Sequence, residues 1–128
     1  MTRMKMESVK LQTTSTVRQL EEYIRHAANS VNGNMQRISR KERLSDFSTR
    51  AAVEVTLYGK VGLLGGLKHL RLGSASDTWG VQIFVYDLGQ ERRIELIALG
   101  EGVGSRLFGA KNFNASKEKM NDIADILV

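Results

Sequence analysis

Few residues of this 128-residue chain have side chains that could carry out covalent or metal chemistry. The absence of cysteine excludes disulfides, thiolate metal sites, iron–sulfur clusters and cysteine nucleophiles. The two histidines, His26 and His69, are far apart, and neither has a second histidine at the spacing that a zinc site needs. We therefore expect neither a metal site nor a cofactor.

Two glutamates and one serine are the remaining candidates for catalysis. Glu54 and Glu95 lie in predicted strands, and they would form a carboxylate pair for acid–base chemistry if those strands were neighbours. The simpler interpretation is that Glu95 pairs with an arginine, such as Arg50 or Arg106. Ser105 has no histidine and aspartate in an arrangement typical of a nucleophilic triad. The sequence therefore favours a protein that is not an enzyme.

A basic segment at residues 37–43 is the strongest indication of a charged partner. Residues 1–50 carry ten basic and five acidic side chains and residues 51–128 carry nine of each, so the first part holds the whole net charge of +5. Such a cluster is typical of a solvated strand, and it also suits weak binding of nucleic acid or another polyanion. No aromatic residue lies within this segment and Phe47 beyond it is isolated, so the stacking platform expected of a single-strand binder is missing from the sequence pattern. The predicted anion-binding residues are Arg37, Arg40, Lys41, Arg43 and, beside a glycine loop at residues 100–104, Arg106.

Two amphipathic helices are predicted from the spacing of apolar residues. Apolar side chains recur at three- and four-residue steps from Val17 to Val31, after a capping box formed by Thr16 and Gln19, and this pattern predicts a helix over about residues 16–31. The same spacing from Met120 to Leu127 predicts a terminal helix over about residues 115–128, with Asn114 as its N-cap.

The rest of the chain reads as short strands and loops. Alternating or continuous apolar residues predict strands at 7–12, 50–58, 81–86 and 94–99, with further candidates at 33–46, 67–72 and 106–108 and a loop at 74–80. This order predicts one domain spanning residues 1–128, with an α+β fold. The expected architecture is an antiparallel sheet of about five or six strands with both helices packed on one face.

Two of these strands are apolar on both faces, and this is the most informative feature of the sequence. In Val81–Tyr86 and Ile94–Leu99 both alternating sets of side chains are apolar, so both faces of the sheet need cover. Helices can cover one face, and a second subunit, an apolar ligand or another layer of the same chain must cover the other. The predicted ligand or interface residues are Trp79, Phe84, Tyr86, Ile97 and Leu99.

These observations favour a small cytoplasmic protein of bacterial origin that acts as a binding or assembly module. No stretch is long and apolar enough to span a membrane, and the first residues do not resemble a secretory signal. The leading hypothesis is that the second sheet face serves self-association, giving a homo-oligomer, or holds a small apolar ligand. The alternative is weak binding of nucleic acid or another polyanion through residues 37–43.

Overall fold

The structure is a computed structural model that describes residues 7–47, 49–61, 78–100 and 111–128. Its elements follow one another as β1 (Glu7–Thr13), α1 (Val17–Ser30), β2 (Asn34–Arg37), a short 3-10 turn (Arg40–Glu42), β3 (Val53–Lys60), β4 (Thr78–Asp87), β5 (Arg92–Ala98) and α2 (Phe113–Leu127). The predicted α+β fold is confirmed. The predicted strands at 67–72 and 106–108 fall outside the described residues.

The five strands form one antiparallel sheet in the order β1-β5-β4-β3-β2. The most apolar strand, β4, lies at the centre and pairs with β3 on one side and β5 on the other. The short strands β1 and β2 form the two edges, and all four residues of β2 are exposed. Burial of apolar side chains therefore determines which strands take the inner positions of the sheet.

Both helices begin at polar caps that satisfy free backbone N–H groups. Thr16 and Gln19 form the predicted capping box, in which each side chain accepts a hydrogen bond from the backbone N–H of the other residue. The predicted cap at Asn114 is wrong by two residues, because α2 begins at Phe113 and the side chain of Asn112 accepts a bond from the N–H of Ala115. An asparagine occurs at both positions, so the sequence alone does not distinguish the two caps.

The helices cover one face of the sheet and form the main core with it. Trp79 is fully buried there, and it belongs to strand β4 and not to the loop predicted at 74–80. A Cβ atom on Gly33 would come within 2.9 Å of the Trp79 ring, so the indole occupies the space that a larger residue at position 33 would need. No helix in the described part of the chain is long and apolar enough to cross a membrane.

The opposite face of the sheet is covered by the chain itself. We call residues 38–47 and 49–51, which lie between β2 and β3, the covering segment. Ile38 is buried in a second apolar cluster with Phe84, Tyr86 and Ile97, and further apolar residues of the covering segment pack against that cluster. Of the three kinds of cover that the sequence allows, a further layer of the same chain is therefore present over this part of the sheet.

Candidate functional site

The predicted ligand or interface residues are divided between the two faces of the sheet. Phe84, Tyr86 and Ile97 lie together beneath the covering segment. Trp79 lies in the core on the helix side, and Leu99 is fully buried beside Gly80 without belonging to either cluster. The structure thus brings three of the five residues together, and the covering segment lies between them and solvent.

Polar side chains hold the covering segment on this face, and we call the following five residues the polar cluster: Arg43, Ser45, Glu54, Tyr86 and Glu95. Arg43 donates from Nε to Glu54 over 2.8 Å and from Nη2 to the Tyr86 hydroxyl over 2.6 Å. Its guanidinium also donates to the backbone carbonyls of Phe47 and Thr49. One arginine therefore joins strands β3 and β4 to two points of the covering segment.

The hydroxyl groups of the cluster form a chain of hydrogen bonds with a fixed direction. The Ser45 hydroxyl donates to a Glu95 carboxylate oxygen over 2.5 Å and lies 2.6 Å from the Tyr86 hydroxyl. A guanidinium can only donate, so the Tyr86 hydroxyl accepts a hydrogen bond from Arg43. The one hydroxyl hydrogen of Ser45 is used on Glu95, so Tyr86 donates the hydrogen bond to Ser45. This series of hydrogen bonds runs from the Arg43 guanidinium to the Glu95 carboxylate. It gives Glu95, which is only 1% exposed, a partner within the sheet face.

A buried amide provides a second attachment for the covering segment. The Gln82 side chain is fully buried in β4, where it donates to the carbonyl of Glu42 over 2.7 Å and accepts from the N–H of Leu44 over 3.1 Å. These two bonds satisfy backbone groups as a neighbouring strand would. Because hydrogen bonds are directional whereas apolar contacts are not, Gln82 fixes the position of the segment along the sheet.

The charges of the cluster shift one another's proton affinity. Burial alone would raise the pKa of Glu54, but hydrogen bonds from the Ala51 N–H and from Arg43 outweigh it, and the pKa is lowered. Burial would likewise lower the pKa of Arg43, and the hydrogen bond and negative charge of Glu54 raise it instead. Burial raises the pKa of Tyr86, so its hydroxyl keeps the proton that it donates to Ser45.

The two glutamates do not form the acid–base pair that the sequence allowed. Glu54 and Glu95 share a sheet face, but both are in register with Phe84, which lies on the strand between them. Glu54 pairs with Arg43, and Glu95 accepts from Ser45 in place of the arginine expected from the sequence. The polar groups of the cluster are therefore engaged in holding the covering segment. Within the described residues, no three His, Cys, Asp or Glu side chains could hold a metal ion.

An arginine-lined cavity opens above the polar cluster, and we call it the basic cavity. It has a volume of about 440 Å³ and is lined by Ile38, Arg40, Arg43, Arg50 and Glu54. Arg40 and Arg50 are exposed, and neither has a hydrogen bond or ion pair with the described part of the chain. Arg43 already makes four hydrogen bonds, so Arg40 and Arg50 are the groups available to an incoming anion.

The predicted anion-binding residues thus have different positions. Arg40 and Arg43 line the basic cavity, whereas Arg37 is opposite Val55 in register and lies on the helix side of the sheet edge. Lys41 is exposed in the 3-10 turn next to Arg40. Arg106 lies outside the described residues. Sequence reasoning missed Arg50, because it is separated from the basic segment along the chain and joins it only in the folded protein.

A second, smaller cavity lies beside the first and is called the aromatic cavity here. Its volume is about 180 Å³, and the residues that line it are Phe47, Thr49, Arg50, Tyr86, Asp87, Leu88 and Arg93. The rings of Phe47 and Tyr86 lie 4.9 Å apart between centroids, tilted by 58°. Arg50 lines both cavities. Phe47, which looked isolated in the sequence, is therefore part of an aromatic pair in the structure.

Replacing Arg43 should detach the covering segment from the sheet. Arg43→Met removes four hydrogen bonds and leaves Glu54, whose side chain is 11% exposed, without its cation. We expect the free energy of unfolding to fall by about 3 kcal/mol. Urea denaturation followed by Trp79 fluorescence measures this change. Arg40→Met is the matched control and should change stability by less than about 0.5 kcal/mol. Equal losses in both variants would contradict the assignment.

The Glu54 ion pair should make stability depend on pH in the acidic range. Because the pKa of Glu54 is lowered on folding, its contribution is complete above about pH 4.5, the ordinary value, and is lost as the pH falls from there through the lowered folded-state value. Urea denaturation of the wild type between pH 7 and pH 3 should show this loss. Glu54→Gln should be less stable at pH 7 and should lose less stability on acidification. Parallel pH profiles for the two proteins would contradict the prediction.

No profile of a known protein family matches this chain, and no curated protein matches it in sequence. The function of the site therefore rests on its own geometry and charge.

Proposed function

We propose that this protein is a binding module for nucleic acid or another polyanion and that the basic cavity is its binding site. The observation that carries this proposal is the convergence of Arg40 and Arg50 on one cavity, where neither makes a hydrogen bond or close ion pair with the described residues and the charge of Arg50 acts on Glu54 only at longer range. Two guanidinium groups that share a cavity repel each other, and a phosphate or sulfate between them would relieve that repulsion. Arginine also binds such groups through two parallel hydrogen bonds.

The charges around the cavity support the same ligand class. The exposed side chain of Lys41 lies next to Arg40 in the sequence and extends the positive surface beyond the cavity. Glu54 is the acidic residue of the lining, and one of its oxygens accepts hydrogen bonds from both Arg43 and the Ala51 N–H. Its charge is therefore balanced mainly by Arg43 and only at longer range by Arg50, so the hydrogen-bond donors of Arg40 and Arg50 remain available to a ligand. The cytoplasmic location predicted from the sequence agrees with a nucleic-acid partner.

Removing the two free arginines should abolish most of the binding. In Arg40→Gln/Arg50→Gln we expect the affinity for fluorescently labelled heparin at 50 mM salt to fall by about tenfold or more per arginine, since a hydrogen bond to a charged group is worth about 1.5–3 kcal/mol. The salt dependence of binding should become shallower by about one unit of log–log slope for each lost contact. Fluorescence anisotropy at a series of salt concentrations measures both.

The matched control carries the same change in charge elsewhere. Arg18→Gln/Arg25→Gln removes two exposed arginines from α1. This variant should lose affinity only at low salt, because the Debye length is about 8 Å at physiological ionic strength and distant charges are then screened. Equal losses in the two double variants would show that net charge alone is responsible and would overturn the proposed site. Absence of heparin binding by the wild type at 50 mM salt would overturn the function.

A second candidate function keeps the leading hypothesis from the sequence, in which the second sheet face binds a small apolar ligand or a second subunit. The observation in its favour is the aromatic cavity, which reaches Tyr86 on that face and has Leu88, which is 51% exposed, at its margin. Since the covering segment already protects Phe84 and Ile97, we place this candidate behind polyanion binding.

Native mass spectrometry of protein purified at low salt tests this second candidate. A monomer that carries one small-molecule mass would support an apolar ligand, and a dimer that Leu88→Asp dissociates would support self-association through this margin. The matched control is Val128→Asp, which adds the same charge at another exposed apolar residue. A bare monomer would contradict both forms of the candidate.

A further inference from the structure

The basic and aromatic cavities adjoin each other, and one arginine belongs to both. Arg50 lines the basic cavity together with Arg40, and it lines the aromatic cavity together with Phe47 and Tyr86. A ligand held by Arg50 can therefore place a charged group in the first cavity and a neighbouring group of the same molecule in the second. The polyanion that fits both cavities must carry a flat or apolar group close to each charge.

The walls of the aromatic cavity define the chemistry of that second group. Phe47 and Tyr86 contribute two rings 4.9 Å apart, and the Arg93 guanidinium lies 5.6 Å from the Phe47 centroid. The Lys10 ammonium, which lies outside the cavity lining, is also 5.6 Å from that centroid. Aromatic rings combined with cations are the surface on which unpaired nucleic-acid bases stack.

The size of the cavity limits the group to a small one. A volume of about 180 Å³ lies below the roughly 300–1,000 Å³ that are usual for pockets of drug-sized ligands, so a single planar ring system is the natural occupant. Asp87 and Thr49 also line the cavity. Asp87 Oδ1 accepts from the Gly89 N–H and lies 3.4 Å from Arg92 Nε, so its other carboxylate oxygen is the acceptor that can pair with the polar edge of a base. A sulfated polysaccharide has a negative charge on every unit but no planar ring to place here.

We propose that the two cavities together bind single-stranded nucleic acid, with a backbone phosphate between Arg40 and Arg50 and an adjacent base in the aromatic cavity against Phe47 and Tyr86. The proposal rests on the polyanion-binding function and names its ligand class. It requires a single strand, because the bases of a duplex are stacked on one another and cannot enter a cavity.

Three oligonucleotides of equal length distinguish the contribution of the bases to the affinity from the contribution of the backbone charge. We would measure fluorescence anisotropy at physiological salt with a labelled 12-nucleotide DNA strand, an abasic strand of the same length and charge, and the duplex of the first. Stacking of one base is worth about 1–3 kcal/mol, so the DNA strand should bind roughly 5- to 150-fold more tightly than the abasic strand. It should also bind more tightly than the duplex.

Phe47→Leu removes the ring and keeps an apolar side chain in the second cluster. This variant should bind the abasic strand as the wild type does and should lose the preference for the strand with bases. Tyr23→Leu is the matched control, because Tyr23 is an exposed aromatic residue of α1 and its loss should leave that preference intact. Leu88→Asp gives a second test on an exposed residue if Phe47→Leu fails to fold. The added negative charge should weaken binding of the DNA strand and the abasic strand alike. If the Asp side chain also keeps the base out of the cavity, the ratio of the two affinities should fall.

The outcomes distinguish this proposal from the function on which it rests. Equal binding of the DNA and abasic strands, tighter binding of the duplex, or an unchanged preference in the folded Phe47→Leu and Leu88→Asp variants would overturn base binding and leave polyanion binding in place. Absence of binding to all three oligonucleotides, together with absence of heparin binding at 50 mM salt, would overturn both proposals.

Discussion

The guanidinium of Arg43 joins parts of the chain that are far apart in sequence, and the arrangement on the second sheet face depends on it. It contacts Glu54 of β3, Tyr86 of β4 and the backbone carbonyls of Phe47 and Thr49. The covering segment is short and has little regular structure of its own, so its shape follows from these attachments. Partial burial of the Arg43 cation is tolerated because nearly all of its donors have acceptors and one of those acceptors is charged.

The same segment closes the sheet and builds the proposed binding surface. Its inner side places Ile38 on the apolar residues of the second face, and its outer side presents Arg40 and Arg50. The polar contacts with Gln82 and Glu95 fix where the segment lies, because each buried polar group has a specific partner and loses free energy if the segment shifts. The positions of the two exposed arginines are therefore set by bonds made beneath them.

Much of the fold was predictable, because it rests on local patterns. The apolar spacing of α1 and the pairing of Thr16 with Gln19 are read within a few residues, and so is the continuous apolar run of β4. The site was only partly predictable. The basic segment was visible, but its members separate in the structure: Arg43 is committed to the polar cluster, and Arg37 lies at the other side of the sheet edge. Arg50 lies outside the basic segment in the sequence and joins Arg40 only in the folded protein.

The sequence by itself determined the two amphipathic helices, the central strands and the need to cover both faces of the sheet, since these follow from the period of apolar residues along the chain. Only the tertiary structure decided what covers the second face and which charges meet. Ser45 and Glu95 are hydrogen-bonded although 50 residues separate them, and Phe47 meets Tyr86 across a similar distance. Contacts of this kind depend on strand order and register, and no local pattern in the sequence encodes them.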